Sequence, residues 1–303
     1  MTLAEAFEAE RPRLERLAYA TLGSVAEAED VVQDAWLRLQ DAGEVRDLPA
    51  WLTTVVGRLA LDALGSARAR RERYVGEWLP EPLVAEAADP ADRVTLDEEV
   101  SFAMLRVLEA LSPAERTAFV LHDVFGHSFA QVADAVGRTP DAARQLASRA
   151  RRHVRTGRPR FSATRDEQRE VVAAFAAAVA EGDVDRLVAV LDPEVTLRSD
   201  GGEHLASLPK PLQGAPRVAT TMLGFIRRGG ADGITGRFAE VNGRPGLVME
   251  RRGMRAVVAF AVDAGRITAI DIVRNPDKLA HVSDVGGEVA LELPPARPPH
   301  GVD

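Results

Sequence analysis

Between Ser128 and Arg155 the sequence SFAQVADAVGRTPDAARQLASRARRHVR sets Arg144, Gln145, Ser148 and Arg149 at helical spacing on one polar face. Such groups can read base edges in a DNA major groove, where Arg suits guanine and Gln suits adenine. Losing one bidentate contact costs about 1–3 kcal/mol of discrimination. Arg138, Thr139, Arg151 and Arg152 flank this face and suit phosphate oxygens. From residue 138 to 160, Arg138, Arg144, Arg149, Arg151, Arg152, Arg155, Arg158 and Arg160 stand against one acid, Asp141. A helical hairpin with a solvated basic face is the bland alternative; caps, turn and charge together favour DNA.

The elements that hold this face follow from the same stretch. Phe129, Val132, Ala133 and Val136 form an apolar stripe, and Gly137 ends that helix in a left-handed conformation. Thr139 and Pro140 suit the N-cap and first position of a second helix. There Ala143, Leu146, Ala147 and Ala150 face inward, small enough for close helix approach. Two short helices with a glycine turn make a helix-turn-helix.

The chain has 303 residues and a formal net charge of -8, so positive charge is local. Its only lysines are Lys210 and Lys278; the arginine bias is that of a GC-rich genome. With no Cys, disulfides and thiolate zinc sites are excluded. No metal and no cofactor is expected. No apolar run reaches membrane-spanning length, and the acidic, amphipathic N-terminus is not a signal peptide, so a cytoplasmic location is expected.

Residues 1–75 read as three helices around one core. Leu3, Phe7, Leu14 and Leu17 mark the first, with Pro12 perturbing its middle and Gly23 ending it. Ser24 to Glu27 is a capping box for the second, whose stripe is Ala28, Val31, Val32, Ala35, Trp36 and Leu39. Trp51, Leu52, Val55, Val56 and Leu59 continue the helical period into a basic end, ARARRERY. Residues 76–96, rich in Pro and acid, read as a linker in which WLPEP (Trp78, Leu79, Pro80, Glu81, Pro82) needs a surface to dock on. Residues 97–157 add an amphipathic helix (Val100 to Leu111), a capped helix from Ser112 through Phe125, and the helix-turn-helix.

In residues 165–280 two helices and a strand reaching Asp200 precede a helix from Gly214 to Arg228. The period then changes to two, with hairpin turns at Asn242-Gly243 and Asp263-Ala264-Gly265. The fold class is multidomain: all-α domains followed by an α+β cone with antiparallel strands. Asp200, His204, Glu250 and Asp271 are the groups that burial inside a cone could tune for acid–base work. Surface salt bridging is the plainer reading, above all for Glu250 beside Arg251 and Arg252. Residues 281–303 read as a mostly disordered tail.

AEDVVQDAWLRL (Ala28 to Leu39) resembles region 2 of a bacterial sigma factor of the sigma-70 family. PAWLTTVVGRLALDALGSARARR (Pro49 to Arg71) resembles the promoter-melting, minus-10-reading part of that region, and Ser128 to Arg155 resembles region 4, which reads the minus-35 element. Their order and short spacing are those of the extracytoplasmic-function class. The resemblance implies that Asp30, Gln33 and Asp34 dock on core RNA polymerase. It implies that the loop from Gln40 to Leu48 captures a flipped base, and that Arg58, Asp62, Arg68, Arg70 and Arg71 lie near the melted strand.

F-x-x-A-x-x-x-GD-x-x-x-L (Phe175 into Leu187) with Asp200-Gly201 resembles the SnoaL-like, NTF2-like family. A sigma subgroup carrying such a domain is similar to this chain at WLPEP, at a D-G-G-G-K loop (here Asp200, Gly201, Gly202, Glu203, His204) and at NPDKL (Asn275, Pro276, Asp277, Lys278, Leu279). The loop departs at Glu203 and His204. The resemblance implies that these three motifs are regulatory contacts and that the fused domain replaces a separate anti-sigma factor. Core RNA polymerase and promoter DNA are the implied partners, with a small molecule in the cone as a further one, no membrane and a monomeric state. It implies a non-catalytic cone and a transcription initiation factor rather than an enzyme. The competing readings are a one-component helix-turn-helix regulator with a ligand-sensing C-terminal domain, which leaves residues 1–75 without a purpose, and a cyclase or isomerase with a DNA-binding extension.

Overall fold

Thr2, Ser24, Ser128 and Thr164 each accept a backbone N–H three residues on, and helices start where they stand. The computed structural model describes residues 2–71, 74, 76–85, 100–157, 163–203, 205–228, 234–282 and 291–293. The chain divides into two units. The first comprises Met1–Arg73, Thr95–Val100 and Met104–Arg158, and the elements among its described residues are helices. The second, Tyr74–Val94, Ser101–Ala103 and Pro159–Asp303, is α+β. No helix among the described residues is long and apolar enough to cross a membrane.

In the first unit α1 (Leu3–Leu22), α2 (Val25–Asp41) and α3 (Leu48–Arg71) enclose Phe7, Leu14, Leu17, Val32, Ala35, Leu52 and Val56, all but inaccessible to solvent. Helix α1 runs unbroken through Pro12. After α4 (Phe102–Leu108), α5 (Pro113–Phe119) starts on the Ser112–Glu115 capping box and passes into a π-helical turn, Val120–Val124, so the expected single α-helix through Phe125 changes pitch. Then come α6 (Phe129–Val136) and α7 (Pro140–Gly157), joined across Gly137 at φ 63°. Close helix approach also occurs between α3 and α6: a Cβ built on Gly57 would lie 3.0 Å from that of Ala135.

The second unit has α8 (Arg165–Glu181), α9 (Val184–Val190) and α10 (Ala215–Arg228) against a mixed sheet. Its strands are β1 (Val84–Ala85), β2 (Leu191–Asp200), β3 (Leu212–Gln213), β4 (Ile234–Val241), β5 (Arg244–Arg251), β6 (Met254–Asp263), β7 (Arg266–Val273) and β8 (Leu291–Leu293). The order is β1-β4-β5-β6-β7-β2-β3, with β8 also on β4. The pairs from β4 to β7 are antiparallel as the hairpin turns require, whereas β2 lies parallel to β7. Asn242 and Gly243 both take positive φ, which suits a tight hairpin.

Both sheet faces are covered. Leu197, Leu247, Val258 and Ile270 pack on Val172, Phe175 and Val218 of the helices. The alternate residues, Val248, Val257, Ala259 and Val273, pack on Leu79, Phe102, Leu279 and Val282. This second cluster revises three expectations. Residues 76–85 are a docked linker that contributes a strand to the α+β sheet: Leu79 is buried and β1 pairs with β4. Tyr74 and Ser101–Ala103 group with the α+β unit and not with the helical domains at whose edges they fall. In the tail, Val282 is buried and residues 291–293 pair with Ile234–Gly236, while residues 283–290 and 294–303 lie outside the described residues.

Gly246 marks the tightest strand approach in this layer, since an added Cβ would sit 2.6 Å from Val241 Cγ2 and 2.7 Å from the Val258 carbonyl oxygen. Gly246→Ala is expected to destabilise the α+β unit by about 1–3 kcal/mol, read as a lower urea midpoint at unchanged slope.

Candidate nucleic-acid interface and linker clamp

In α7, Ala143, Leu146, Ala147, Ala150 and Val154 are buried, which leaves Arg144, Gln145, Ser148 and Arg149 exposed on the opposite side. Arg138 and Thr139, just before the helix, and Arg152, in its second half, are exposed, and Arg151 is half-buried. Several of these cations are held. Arg144 pairs with Asp141 at 2.6 Å and its guanidinium lies over the Phe129 ring, 5.0 Å from the centroid. Arg149 pairs with Glu115 at 2.9 Å, and Arg151 with Asp123 at 2.5 Å. Burial pushes the Glu115 carboxyl up, but bonds from Ser112 and Arg149 outweigh it and hold the group below its usual value. Glu115 thus caps α5 and orients a candidate base-reading side chain together.

On α2, Asp30, Gln33 and Asp34 share one exposed face with Leu37, which is 51% accessible although apolar. No hydrogen bond or ion pair to another described residue engages those three polar groups. In the loop before α3, Asp47 accepts from the Ala50 amide at 3.1 Å and caps that helix. Arg58 is not free beside a DNA path: its Nε donates to the Asp134 carbonyl of α6 at 2.9 Å. Asp62 is exposed. The side chains of Arg68, Arg70 and Arg71 lie outside the described residues. His127 is half-buried near Arg13 of α1, and burial followed by that charge holds its imidazole below the usual range.

The three motifs WLPEP, DGG and NPDKL converge on Asp200, whose carboxylate is fully buried. One oxygen accepts from the Tyr74 hydroxyl at 2.5 Å and the Gly202 amide at 3.0 Å. The other accepts from the Leu79 amide at 3.0 Å and from Lys278 Nζ at 2.7 Å. Lys278 also donates to the Leu79 carbonyl and lies 3.9 Å from the centroid of the Trp78 ring, a cation–π contact. Asn275 caps the turn Pro276–Lys278 through the Asp277 amide at 3.1 Å and donates to the Tyr74 hydroxyl at 3.0 Å. Pro276 and Asp277 themselves are exposed, whereas Leu279 is buried beside Leu79. A Cβ on Gly201 would lie 2.2 Å from the Leu205 carbonyl oxygen, and one on Gly202, at φ 65°, would strike Asn275. The loop closes only with glycine at both places.

Further along, His281 meets Glu81 Oε1 at 3.2 Å through Nδ1 and the Pro82 carbonyl at 2.9 Å through Nε2. Both partners accept, so only the protonated ring donates to both. Asn242 exchanges bonds with Leu83, its side chain accepting at 3.1 Å and its amide donating at 2.8 Å. Tyr74, His281 and Asn242 were not singled out from sequence as clamp residues, because each gains its role from a partner more than a hundred residues away.

Strand register corrects the placement of the acid–base candidates. Asp200 lies opposite Val273 and Asp271 opposite Ala259, so both lie on the linker-covered face. Glu250 alternates with Val248 and shares that face. None of the three faces the helix-covered interior. Asp271 pairs with Arg198 at 3.5 Å, and Arg198 with Glu77 at 3.8 Å. His204 lies outside the described residues.

A helix-turn-helix with an exposed polar reading face, preceded by a three-helix domain, defines a DNA-binding protein of the sigma-70 class. The family model described as Sigma-70 region 2 matches residues 6–70, and that described as Sigma-70, region 4 matches residues 101–154. The chain is 43% identical over 286 residues to the ECF RNA polymerase sigma factor SigJ of Mycobacterium tuberculosis, covering 90% of this chain and 91% of that protein. It is 39% identical over 289 residues to the probable ECF RNA polymerase sigma factor SigI of the same organism, covering 93% and 97%. The crystal structure of Mycobacterium tuberculosis SigJ superposes with a TM-score of 0.76 at 38% identity, over 91% of this chain and 98% of that one. The chain belongs to the extracytoplasmic-function RNA polymerase sigma factors: it is a transcription initiation factor, not an enzyme, with an α+β domain fused behind its helical regions.

The Tyr74 phenol is pushed up by burial, then by its bond to the Asp200 carboxylate and by that charge. A raised value in the folded state gives stability that is complete below about pH 10, the ordinary tyrosine range, and is lost as pH climbs above it. Tyr74→Phe is expected to cost about 1–3 kcal/mol at pH 7.5. Urea melts of the two proteins should converge as pH passes about 10.

Proposed function

We propose that the exposed face of Asp30, Gln33, Asp34 and Leu37 docks on core RNA polymerase, and that α3 with the loop before it opens and reads minus-10 DNA. Arg144, Gln145, Ser148 and Arg149 read the minus-35 element, while Arg138, Thr139, Arg151 and Arg152 hold phosphate. Arg68, Arg70 and Arg71 lie beside the melted strand. For Arg58 to join them it must leave the Asp134 carbonyl, so the packing of α3 on α6 is a closed arrangement that promoter binding opens. The protein works as a monomer in the cytoplasm.

The α+β domain controls this activity in place of a separate anti-sigma factor, and a small molecule in the cone sets its state. The observation that carries the reading is that the segment joining regions 2 and 4 belongs to the α+β unit. WLPEP lies against Asp200, Lys278 and Leu279, so the reach between the two DNA-reading helices depends on that domain.

In vitro transcription with core polymerase on a promoter library tests this. The full chain is expected to give promoter-dependent transcripts. Asp30→Ala with Asp34→Ala should lose them by failing to bind core, and Gln145→Ala should relax selection at one minus-35 position by about tenfold or more. Ending the chain near Leu279 should change output without changing the promoters chosen. Operator binding without polymerase, and no transcript with it, would favour the one-component regulator.

A further inference from the structure

The helix-covered face of the sheet carries Leu247, Val258 and Ile272 across one row. Toward one end of β5 and β7 this face bears two arginines. Arg251 stands two positions beyond Met249, and Arg274 two beyond Ile272. Met249 lies opposite Ala256, and Val257 opposite Val273, so Arg274 continues the row of Met249 and Ala256. Ile234, from the adjoining β4, is on the same side, because Gly236 lies opposite Met249. Ile234, Met249 and Ile272 are only partly buried against the core and share this face with the two arginines.

Among the described residues no carboxylate pairs with Arg251 or Arg274. Arg274 donates to one backbone carbonyl, that of Ala206, at 3.3 Å. The Nε of Arg251 is buried without a hydrogen-bond partner. The two are close enough that, after burial, the charge of Arg251 holds Arg274 below its usual range. Like charges brought together beneath a partial cover are unfavourable unless an anion completes them, and two guanidinium groups match a carboxylate well.

We propose that Arg251 and Arg274 are the anion end of a binding site for a small organic monocarboxylate, whose apolar body lies on Ile234, Met249 and Ile272. Asp200, Glu250 and Asp271 are on the opposite face, so none of these three carboxylates belongs to the site. The proposal rests on reading the α+β domain as a ligand-responsive regulator, and it supplies the chemical class.

Full-length protein is titrated calorimetrically with hexanoate, decanoate and benzoate, with decanol and inorganic phosphate as controls, and is melted in parallel. At least one monocarboxylate is expected to bind one to one and raise the melting temperature, and Arg251→Met to weaken it tenfold or more. Without ligand, Arg251→Met should melt about 1–2 °C higher, because the repulsion is relieved; a merely structural arginine would melt lower. Binding by none of the carboxylates, equal binding in Arg251→Met, or phosphate binding as well as the carboxylates would overturn the site. A carboxylate that binds through Arg251 but leaves promoter-dependent transcription unchanged supports the site and refutes the regulatory reading.

Discussion

Burying the Asp200 carboxylate is tolerable only because Tyr74, Leu79, Gly202 and Lys278 all donate to it. Leu79, Gly202 and Lys278 come one from each motif and Tyr74 from just before WLPEP, so satisfying one charge ties the segment between regions 2 and 4, the loop after β2 and the turn after β7 to a single point. The ammonium of Lys278 is in turn accepted by the Leu79 carbonyl and capped by the Trp78 ring. Removing either charge would leave the other buried and uncompensated, an imbalance costing about 3–5 kcal/mol.

This constraint also explains how the α+β domain departs from an open-faced cone. A half-exposed antiparallel sheet has one polar face, but here Val248, Val257, Ala259 and Val273 make the second face apolar. Leu79 and Phe102, from the chain on either side of residues 86–99, bury it. The carboxylates Asp200 and Asp271 sit in that second layer as ion-pair and hydrogen-bond anchors, and the helix-covered face carries apolar side chains together with the buried Ser199 and, at its edge, Arg251 and Arg274. Asp200, Glu250 and Asp271 are thereby kept off the helix-covered face.

Local rules made the helical half legible. Ser24, Ser128 and Ser112 mark helix starts, Gly23 and Gly137 mark stops, and the small residues of α7 face inward as their spacing demands. The hairpin turns at Asn242-Gly243 and Ala264-Gly265 are equally plain, because the positive φ at Asn242, Gly243 and Gly265 is one that Asn and Gly favour. Proline and like charge in residues 76–96 mark a linker and Trp78 its need to dock, but nothing local reveals that Leu79 and Val84 have their partners on the sheet. Likewise the parallel pairing of β2 with β7, and hence the face on which Asp200 falls, is fixed by contacts far apart in the chain. The use of Arg58 and Arg149 in internal bonds was hidden for the same reason.

Amide hydrogen exchange over residues 76–85, compared between the full-length protein and its Asp200→Ala variant, tests the central claim most directly. The account predicts slow exchange at Leu79, Leu83 and the strand Val84–Ala85 in the unaltered protein. In the variant that protection should be lost while the amides of β5, β6 and β7 stay protected. Exchange at the rate of a free chain in the unaltered protein, or protection that survives loss of the carboxylate, would contradict it.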